Sequence, residues 1–318
     1  MRLKDRNVLV TGGAGFLGSL LCETLVAEGA GVSVIDDCGA DRATNLEKIS
    51  HKIEFCRGTI ADEGQVCRAA VSADTIVHLA FPMALRQRAL DTALIAENLA
   101  GVCNLIKAAL KRNALLVYVS SIGVYGNGRY NPIDEDHPLE PVLIHGAVKL
   151  AGENLCRAMA RGSGLRCVIL RVADIYGPRN SRLSVPIKFL LQAVSGRPLT
   201  VHGDGSDSRT YTYAADFAEA VVLSISRPEA ENGVFNVAGD DCVSMSELAR
   251  EVIRVTGSNS PVLHLDAPCS GRRLFIDNCK SKKMMGFKPR YSIAAGLDAT
   301  CAWLRENPGF YSNLGNNI

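Results

Sequence analysis

Residues 11–18 of this chain read Thr-Gly-Gly-Ala-Gly-Phe-Leu-Gly, directly after the strand-like run Asn-Val-Leu-Val and directly before a predicted helix. The spaced glycines stand where a chain needs a tight turn, a close approach of backbone to a pyrophosphate, and close packing of the helix. The N-terminus of that helix adds unpaired N–H groups and a positive potential. The loop therefore predicts a nucleotide-phosphate site, and the residues expected to contact the nucleotide are Gly12, Gly15, Phe16, Leu17 and Gly18.

A carboxylate stands where the ribose of such a nucleotide would lie. A second apolar stretch, residues 31–35, ends in Asp36, about 20 residues beyond the loop, where a carboxylate accepts hydrogen bonds from both ribose hydroxyls. A 2′-phosphate would meet the negative charges of Asp36 and Asp37, and Arg42 is the nearby cation that could compensate them. The sequence therefore favours NAD over NADP, which stays a lesser alternative.

A histidine and a lysine share one face of a predicted helix. His145 and Lys149 are four residues apart, which is about one helical turn. An imidazole exchanges protons near neutral pH without special tuning. Because the ammonium of Lys149 disfavours a protonated neighbour, His145 is better suited to act as a base than as a standing acid.

Composition indicates a globular protein and excludes several other classes. The 318 residues are 47% hydrophobic, and 35 Lys and Arg face 33 Asp and Glu, for a formal net charge of +2. This balance argues against a disordered chain, and no dense basic block suggests a nucleic-acid surface. The 11 cysteines are dispersed without metal-binding spacing, so no metal site is expected. No apolar run approaches the roughly 18 residues of a membrane span, and the first strand comes too early for a signal peptide, so we expect a cytoplasmic protein.

The elements that must position these groups alternate between strand and helix. Apolar runs predict strands near 7–11, 31–36, 53–57, 75–79, 115–120 and 166–172. Helices of 3.6-residue period between them predict a doubly wound parallel sheet of the α/β class. Because ligands bind beyond the carboxyl ends of such strands, the segments that follow each strand should carry the chemistry.

Together these segments resemble the extended short-chain dehydrogenase/reductase family, above all its nucleotide-sugar epimerases and dehydratases. The resemblance spans nearly the whole chain. Its matching elements are the glycine loop, Asp36, the His-Leu-Ala turn at 78–80, Asn98, the segment Ser-Ser-Ile-Gly-Val-Tyr-Gly at 120–126, the helix of Lys149, and Tyr-Gly-Pro at 176–178.

The resemblance implies an organisation, a cofactor and partners. It implies a Rossmann-type NAD-binding domain of residues 1–173, to which the chain returns at about 211–239, and a smaller α/β substrate-binding lobe of residues 174–210 and 240–318. It implies NAD, a nucleotide-diphosphate sugar substrate, and a homodimer formed by helices around 91–111 and 147–161. The further cofactor contacts that it implies are Asp37, Thr59, Ile60, Leu79, Ala80, Asn98 and Lys149.

The resemblance also implies catalytic roles. Ser121 corresponds to the family's Ser or Thr that hydrogen-bonds the sugar hydroxyl being oxidised, although its hydroxyl could instead only cap the next element. Lys149 corresponds to the lysine that holds the nicotinamide ribose. The family signature is Tyr-x-x-x-Lys, and here His145 stands in place of the tyrosine. An imidazole is shorter than a phenol by roughly 2 Å, so three interpretations stay open: a working acid/base, a relay through another group, and an impaired redox site.

Positions around the sugar narrow the subtype. Ile122 and Gly123 stand where dehydratases and decarboxylases of the family carry acidic residues, and neither can exchange a proton. Epimerisation needs one acid/base group and held NAD, so the sequence favours it. Arg209 corresponds to a diphosphate contact, and Arg272 or its neighbour Arg273 could be the second cation. Asp174 stands where the family generally has an Asn that touches the sugar nucleotide.

These observations predict an NAD-dependent nucleotide-sugar epimerase that acts by transient oxidation to a keto-sugar. The catalytic residues would be Ser121, His145 and Lys149, and the substrate-binding residues would be Ser121, Asp174, Arg209 and Arg272. Two alternatives stay open. One is a nucleotide-sugar dehydratase or reductase of the same family, and the other is a catalytically impaired regulatory protein that binds NAD or a sugar nucleotide.

Overall fold

The computed structural model of the chain describes residues 3–38, 44–82, 85, 90–180, 183–267 and 271–310. The strands are β1 (Asn7–Thr11), β2 (Gly31–Asp36), β3 (Ile53–Arg57), β4 (Thr75–His78), β5 (Leu115–Ser121), β6 (Cys167–Val172), β7 (Asp174–Tyr176), β8 (Leu199–His202), β9 (Ser208–Tyr213), β10 (Val234–Val237), β11 (Cys242–Ser244), β12 (Val262–Leu265) and β13 (Arg273–Leu274). The helices are α1 (Phe16–Ala27), α2 (Glu63–Ala69), α3 (Thr92–Arg112), α4 (Ile144–Ser163), α5 (Val185–Val194), α6 (Ala214–Ser226), α7 (Met245–Thr256), α8 (Cys279–Met285) and α9 (Ile293–Glu306).

The main sheet has seven strands in the order β10-β6-β5-β4-β1-β2-β3, and every neighbouring pair is parallel. The predicted doubly wound α/β sheet is confirmed. The sequence pattern had given six of its strands and not β10. The strand order reverses beside β1, so the loop after β1 lies at the switch point where such sheets bind ligands.

Two apolar layers cover the faces of this sheet. On one face, Leu21 and Leu25 of α1 pack with Phe217 and Val221 of α6 against the strands. On the other face, the buried side chains come from α3 and α4 and include Val102, Leu105, Ile106 and Cys156. The inner strands β1, β4, β5 and β6 are buried on both sides, which is why they read as largely continuous apolar runs, whereas the edge strand β3 is mostly exposed.

A smaller α/β lobe follows β6. Strand β9 pairs with β7, β11 and β13, and β8 pairs with β12 in a separate parallel pair. Helices α5, α7 and α9 enclose a core of their own, which includes Phe189, Leu248 and Leu297. Strand β7 begins at Asp174, two residues after β6 ends. The predicted domain limits themselves stay a prediction.

The sequence predicted no apolar run long enough to span a membrane, and helix α3 differs from that prediction. It is long and apolar enough, by length and composition, to cross a membrane, although 44% of its most apolar 18-residue window is buried within the protein. Glu97 and Lys107 interrupt the apolar run of this helix, but its mean hydropathy stays high despite them. The side chain of Asn104 donates to the carbonyls of Ile60 and Ala61 at 3.1 and 2.9 Å, so α3 is fixed against the chain beside the sheet.

Candidate active site

A cavity of about 600 Å³ lies at the carboxyl ends of the central strands and extends into the smaller lobe. Nine of the predicted site residues line it: Phe16, Leu17, Leu79, Ser121, His145, Lys149, Asp174, Arg209 and Arg272. Most of the other predicted residues lie around the glycine loop and the ends of β2, β3 and β4, and Asn98 lies on α3; none of them is among the residues that line this cavity. They are Gly12, Gly15, Gly18, Asp36, Asp37, Thr59, Ile60, Ala80 and Asn98.

The glycine loop is shaped by close backbone contacts. A Cβ atom on Gly18 would lie 2.1 Å from the carbonyl oxygen of Gly12, and one on Gly12 would lie 2.8 Å from the backbone nitrogen of Ala80. Gly12 also has a φ of 70°, which glycine adopts without strain. At Gly15, which precedes the first residue of α1, the nearest atom to such a Cβ is 3.3 Å away. The loop therefore leaves backbone exposed for an anion at the helix N-terminus.

Asp36 is buried and its carboxylate is held in place. Its Oδ2 accepts from the backbone nitrogen of Ala14 at 2.9 Å, and its Oδ1 accepts from that of Cys38 at 2.9 Å. A carboxylate has further lone pairs beyond these two bonds, so it can still accept from hydroxyls. Asp37 next to it is exposed. Arg42, considered as a compensating cation, lies outside the described residues.

Two of the predicted cofactor contacts, Thr59 and Ile60, follow β3. The backbone nitrogen of Thr59 donates to the side chain of Gln65 at 2.8 Å. Ile60 packs against α3 so closely that a Cβ on Gly101 would lie 2.5 Å from its side chain. These contacts fix the backbone of this segment beside the end of β2, because the nitrogen of Gly58 donates to the carbonyl of Asp36 at 2.9 Å.

The turn after β4 is tied to the glycine loop by Thr11. Its Oγ1 lies 2.9 Å from Nδ1 of His78 and accepts from the backbone nitrogens of Leu79 and Ala80 at 3.2 and 3.1 Å. Burial lowers the pKa of His78 well below its usual value, and the charge of Lys149 lowers it further. His78 is therefore a neutral imidazole at physiological pH.

Two buried polar atoms, one at the end of β4 and one on α3, have no hydrogen-bond partner among the described residues. They are Nε2 of His78 and Nδ2 of Asn98. Buried polar atoms normally have a partner in the protein, in water or in a ligand. Together with the glycine cradle and the fixed carboxylate of Asp36, the unsatisfied Asn98 amide fits the binding of a dinucleotide.

Ser121 and His145 converge on one point above Gly123. A Cβ placed on Gly123 would lie 3.4 Å from Oγ of Ser121 and 3.5 Å from Nδ1 of His145. Ser121 Oγ also accepts from the backbone nitrogen of Gly123 at 3.1 Å and so caps the short turn Ile122–Tyr125. Ser121 therefore does cap this turn, and because its oxygen acts only as an acceptor there, its hydroxyl hydrogen remains available to the cavity.

His145 and Lys149 lie in the first turns of α4 and are both buried, with 8% and 6% of their surfaces exposed. The Nζ of Lys149 donates to the carbonyl of Val119 at 2.8 Å. Helix α4 approaches the turn of Gly123 closely, because a Cβ on Gly146 would lie 2.3 Å from the carbonyl oxygen of Gly123. This approach brings the imidazole to the serine.

The charged groups predicted for the substrate lie on the wall formed by the smaller lobe. Nη1 of Arg209 and Oδ2 of Asp174 form an ion pair at 3.3 Å, with both side chains partly exposed. The backbone nitrogen of Arg272 donates to Asp207, which fixes the chain there. Arg272 lines the cavity, whereas Arg273 lies over the ring of Phe275.

Sequence reasoning missed two aromatic residues of the cavity, Phe81 and Tyr211. Tyr211 is in register with Asp174 across β7 and β9, and burial raises its pKa. Its hydroxyl is buried and has no hydrogen-bond partner among the described residues. Neither residue belongs to a local motif, so only their position in the fold identifies them.

A buried polar network also lies outside the predicted site. Glu153 accepts from Oγ of Ser120 at 2.6 Å and from Nη2 of Arg171 at 2.8 Å. Nη1 of Arg171 donates to the hydroxyl of Tyr125 at 3.0 Å, and that hydroxyl donates to Asn236 at 2.6 Å. The network joins α4, β5, β6, β10 and the turn Ile122–Tyr125. It therefore fixes α4, which carries His145 and Lys149, against β5, which ends in Ser121.

Comparison with known proteins gives a consistent match. Residues 8–238 match the NAD dependent epimerase/dehydratase family. The chain is 32% identical over 310 residues to a UDP-glucose 4-epimerase of Mycolicibacterium smegmatis. The aligned region covers 94% of this chain and 99% of that protein. It is also 30% identical over 325 residues to a UDP-N-acetyl-alpha-D-glucosaminuronate decarboxylase of Bacillus cytotoxicus. That alignment covers 95% of this chain and 98% of the decarboxylase.

A solved structure agrees with these relatives. The UDP-glucose 4-epimerase of Thermus thermophilus, in complex with NAD, superimposes with a TM-score of 0.82 at 28% identity. The match covers 94% of this chain and 99% of that one. Similar proteins thus include both an epimerase and a decarboxylase, so overall similarity does not choose between the two reactions.

Proposed function

The chain belongs to the NAD-dependent epimerase/dehydratase family, and on that basis we propose that it epimerises the sugar of a nucleotide-diphosphate sugar. The observation that carries this proposal is the convergence of Ser121 Oγ and His145 Nδ1 at Gly123, within 3.4 and 3.5 Å of a single point. A hydroxyl donor and an imidazole at one point form a site at which a sugar hydroxyl can be held and deprotonated.

Each residue of the site has a distinct task in this proposal. Ser121 hydrogen-bonds the hydroxyl, and His145 takes its proton during oxidation and returns it during reduction. When bound, NAD supplies the hydride acceptor for the oxidation and the hydride donor for the return. Lys149 holds the nicotinamide ribose, and Asp36 accepts from the hydroxyls of the adenosine ribose. Proton and hydride are both returned, so no other oxidant or reductant is consumed.

The neighbours of Ser121 favour epimerisation over the other reactions of the family. Ile122 carries a hydrocarbon side chain and Gly123 carries none, so neither can remove or deliver the proton that elimination of water requires. Both residues line the cavity. Dehydration and decarboxylation by acidic residues at these positions are therefore disfavoured.

The imidazole of His145 has to reach the sugar hydroxyl although it is a shorter side chain than the family's phenol. It is shorter than a phenol by roughly 2 Å, and proton transfer needs hydrogen-bond distance or one bridging water. Support for its reach comes from the close approach of α4 to the turn of Gly123, where Gly146 leaves no room for a side chain. Gly123 itself carries no side chain that could lie between Ser121 Oγ and His145 Nδ1.

The substrate wall supports a diphosphate. Arg209 and Arg272 would contact the phosphates, and the guanidinium of Arg209 is oriented by its ion pair with Asp174. Because Asp174 offsets part of that charge, Arg272 would supply the larger net attraction. An ionised carboxylate accepts hydrogen bonds and donates none, so Asp174 would favour sugars with a donor at that position.

The deciding experiment incubates the purified protein and NAD with UDP-, GDP-, CDP- and dTDP-sugars. Product stereochemistry is followed by NMR and product mass by mass spectrometry. An epimer of unchanged mass is the expected result. Loss of water or carbon dioxide would move the protein to another reaction of the family, and binding without conversion would identify an impaired regulatory protein.

A further inference from the structure

Phe81 contacts both members of the His-x-x-x-Lys pair. Its ring centroid lies 5.0 Å from that of His145, with the two ring planes at 81°. The Nζ of Lys149 lies 4.8 Å from the same centroid. Phe81 also lines the cavity. One phenyl ring therefore packs against the imidazole and the ammonium at the same time.

The backbone that presents Phe81 is held by the glycine loop. Oγ1 of Thr11 accepts from the backbone nitrogens of the two residues before Phe81, Leu79 and Ala80, at 3.2 and 3.1 Å. Ala80 also packs directly on Gly12, where a side chain would clash with it. The position of the ring is thus tied to the loop expected to hold the nucleotide phosphates, and not to α4 alone.

The surroundings of Lys149 show what the ring contributes. The ammonium is buried, donates to the carbonyl of Val119 at 2.8 Å, and lies over the rings of Phe81 and Tyr118 at 4.8 and 5.3 Å. The face of an aromatic ring carries negative potential and attracts a cation. An aliphatic side chain of similar volume would fill the space and would not supply that potential.

We propose that Phe81 is a positioning residue for proton transfer: its ring holds the His145 imidazole and the Lys149 ammonium in the arrangement that brings the imidazole to Ser121. The proposal rests on the proposed function, because it takes His145 as the proton carrier. It accounts for how a side chain shorter than the phenol is kept in one orientation. An edge-to-face contact favours one relative orientation of the two ring planes, which an aliphatic neighbour does not supply.

The test compares Phe81→Leu, which removes the ring, with Phe81→Tyr, which keeps it. Phe310→Leu is the matched control, because Phe310 packs on Trp303 in the smaller lobe and does not line the cavity. We expect Phe81→Leu to lower kcat about 10-fold or more through misplacement of the imidazole, with KM for the sugar nucleotide unchanged. Phe81→Tyr should recover most of that loss, and Phe310→Leu should cause none.

Selectively labelled protein gives a second readout that does not depend on turnover. NMR signals of the Lys149 ε-methylene and the His145 ring are assigned with Lys149→Met and His145→Gln. Loss of the Phe81 ring current should move both sets of signals in Phe81→Leu, and the Lys149 signal should stay in place in Phe81→Tyr. If Phe81→Leu unfolds, Phe81→Met replaces it as the variant without a ring.

The outcomes separate this proposal from the proposed function. Unmoved signals in the variant without a ring overturn the positioning role, and so do moved signals with unchanged kcat. If the wild-type protein converts no sugar nucleotide, the proposed function fails. The positioning role in proton transfer then fails with it, and the NMR signals report only whether the ring lies against the two side chains.

Discussion

At the scale of single residues, the chemistry depends on side chains that face the cavity from different elements. Ser121 ends β5, His145 lies in the first turn of α4, and Asp174 begins β7. None of them is close to the others in the sequence, yet Ser121 and His145 meet at Gly123. Substitutions at these positions should therefore change turnover or selectivity and leave the fold intact.

His145→Ala should lower kcat by about 10²–10⁴-fold, because it removes the group that exchanges the proton. The Kd for NAD, measured by calorimetric titration, should stay within a few-fold of the wild type, since the glycine loop and Asp36 are untouched. His145→Tyr is the companion variant and should preserve or improve turnover by restoring the family's phenol. Wild-type activity in His145→Ala would remove His145 from the mechanism.

Asp174→Asn should change the preference among sugar nucleotides more than the affinity for NAD. The amide has nearly the shape of the carboxylate, but it adds a donor and removes the charge that pairs with Arg209. The measurement is kcat/KM across the panel of sugar nucleotides for both proteins. Relative rates that do not change across the panel would argue against a substrate contact at Asp174.

At the scale of elements, the site depends on how α4 and the central strands are fixed to one another. The pair of Glu153 and Arg171 is buried, with 0% and 1% of the side chains exposed, and it joins α4 to β6. The hydrogen bond from Ser120 to Glu153 adds β5 to this connection. Replacing a buried pair by apolar groups is often tolerated, but removing one partner leaves a buried charge uncompensated. The network should therefore matter for both stability and alignment.

Glu153→Ala should lower the free energy of unfolding by about 3–5 kcal/mol, because Arg171 would remain buried without its carboxylate. Urea denaturation followed by circular dichroism measures the change. The control is Glu63→Ala, which breaks an exposed ion pair with Lys107 and should leave the midpoint in place. Equal effects of the two substitutions would contradict the assignment of Glu153 to a structural core network.

Gly18→Ala should abolish NAD binding, because its Cβ would lie 2.1 Å from the carbonyl oxygen of Gly12 and force the loop open. Gly162→Ala is the matched control in α4, since nothing lies within 4 Å of its added Cβ. We expect the control to bind NAD normally and to gain up to about 1 kcal/mol of stability. Titration of both variants with NAD measures the two affinities, and tight binding by Gly18→Ala would refute the assignment of the glycine loop to NAD binding.

At the scale of the whole molecule, two lobes enclose one cavity, and the large lobe presents α3 and α4 on one face of its sheet. These helices pack against each other. Their exposed positions include small side chains that another helix pair could approach closely, among them Ala96, Ala100, Ala147 and Ala158. The homodimer suggested by the family resemblance would use this face.

Ala100→Arg should convert such a dimer into a monomer, because a long charged side chain would enter the helix contact. Ala302→Arg is the control, since Ala302 is exposed on α9 in the smaller lobe. Sedimentation velocity of the two variants and the wild type measures the oligomeric state. A wild type that sediments as a monomer at micromolar concentration would reject the homodimer.

The sequence by itself determined the features that depend on neighbouring residues. The glycine loop, Asp36 and the alternation of strands and helices are local patterns, because turn geometry and periodicity are set within a few residues. The spacing of His145 and Lys149 likewise fixed their common helical face. Strand β10 was not among the strands predicted from the sequence.

Only the tertiary structure decided which distant residues meet. Glu153 and Arg171 look like surface charges in the sequence, and their burial appears only when α4 packs on β6. Phe81 gains its contacts with His145 and Lys149 because the end of β4 is tied to the glycine loop by Thr11. Such contacts join residues that are 18 or more positions apart, and no local period or spacing encodes them.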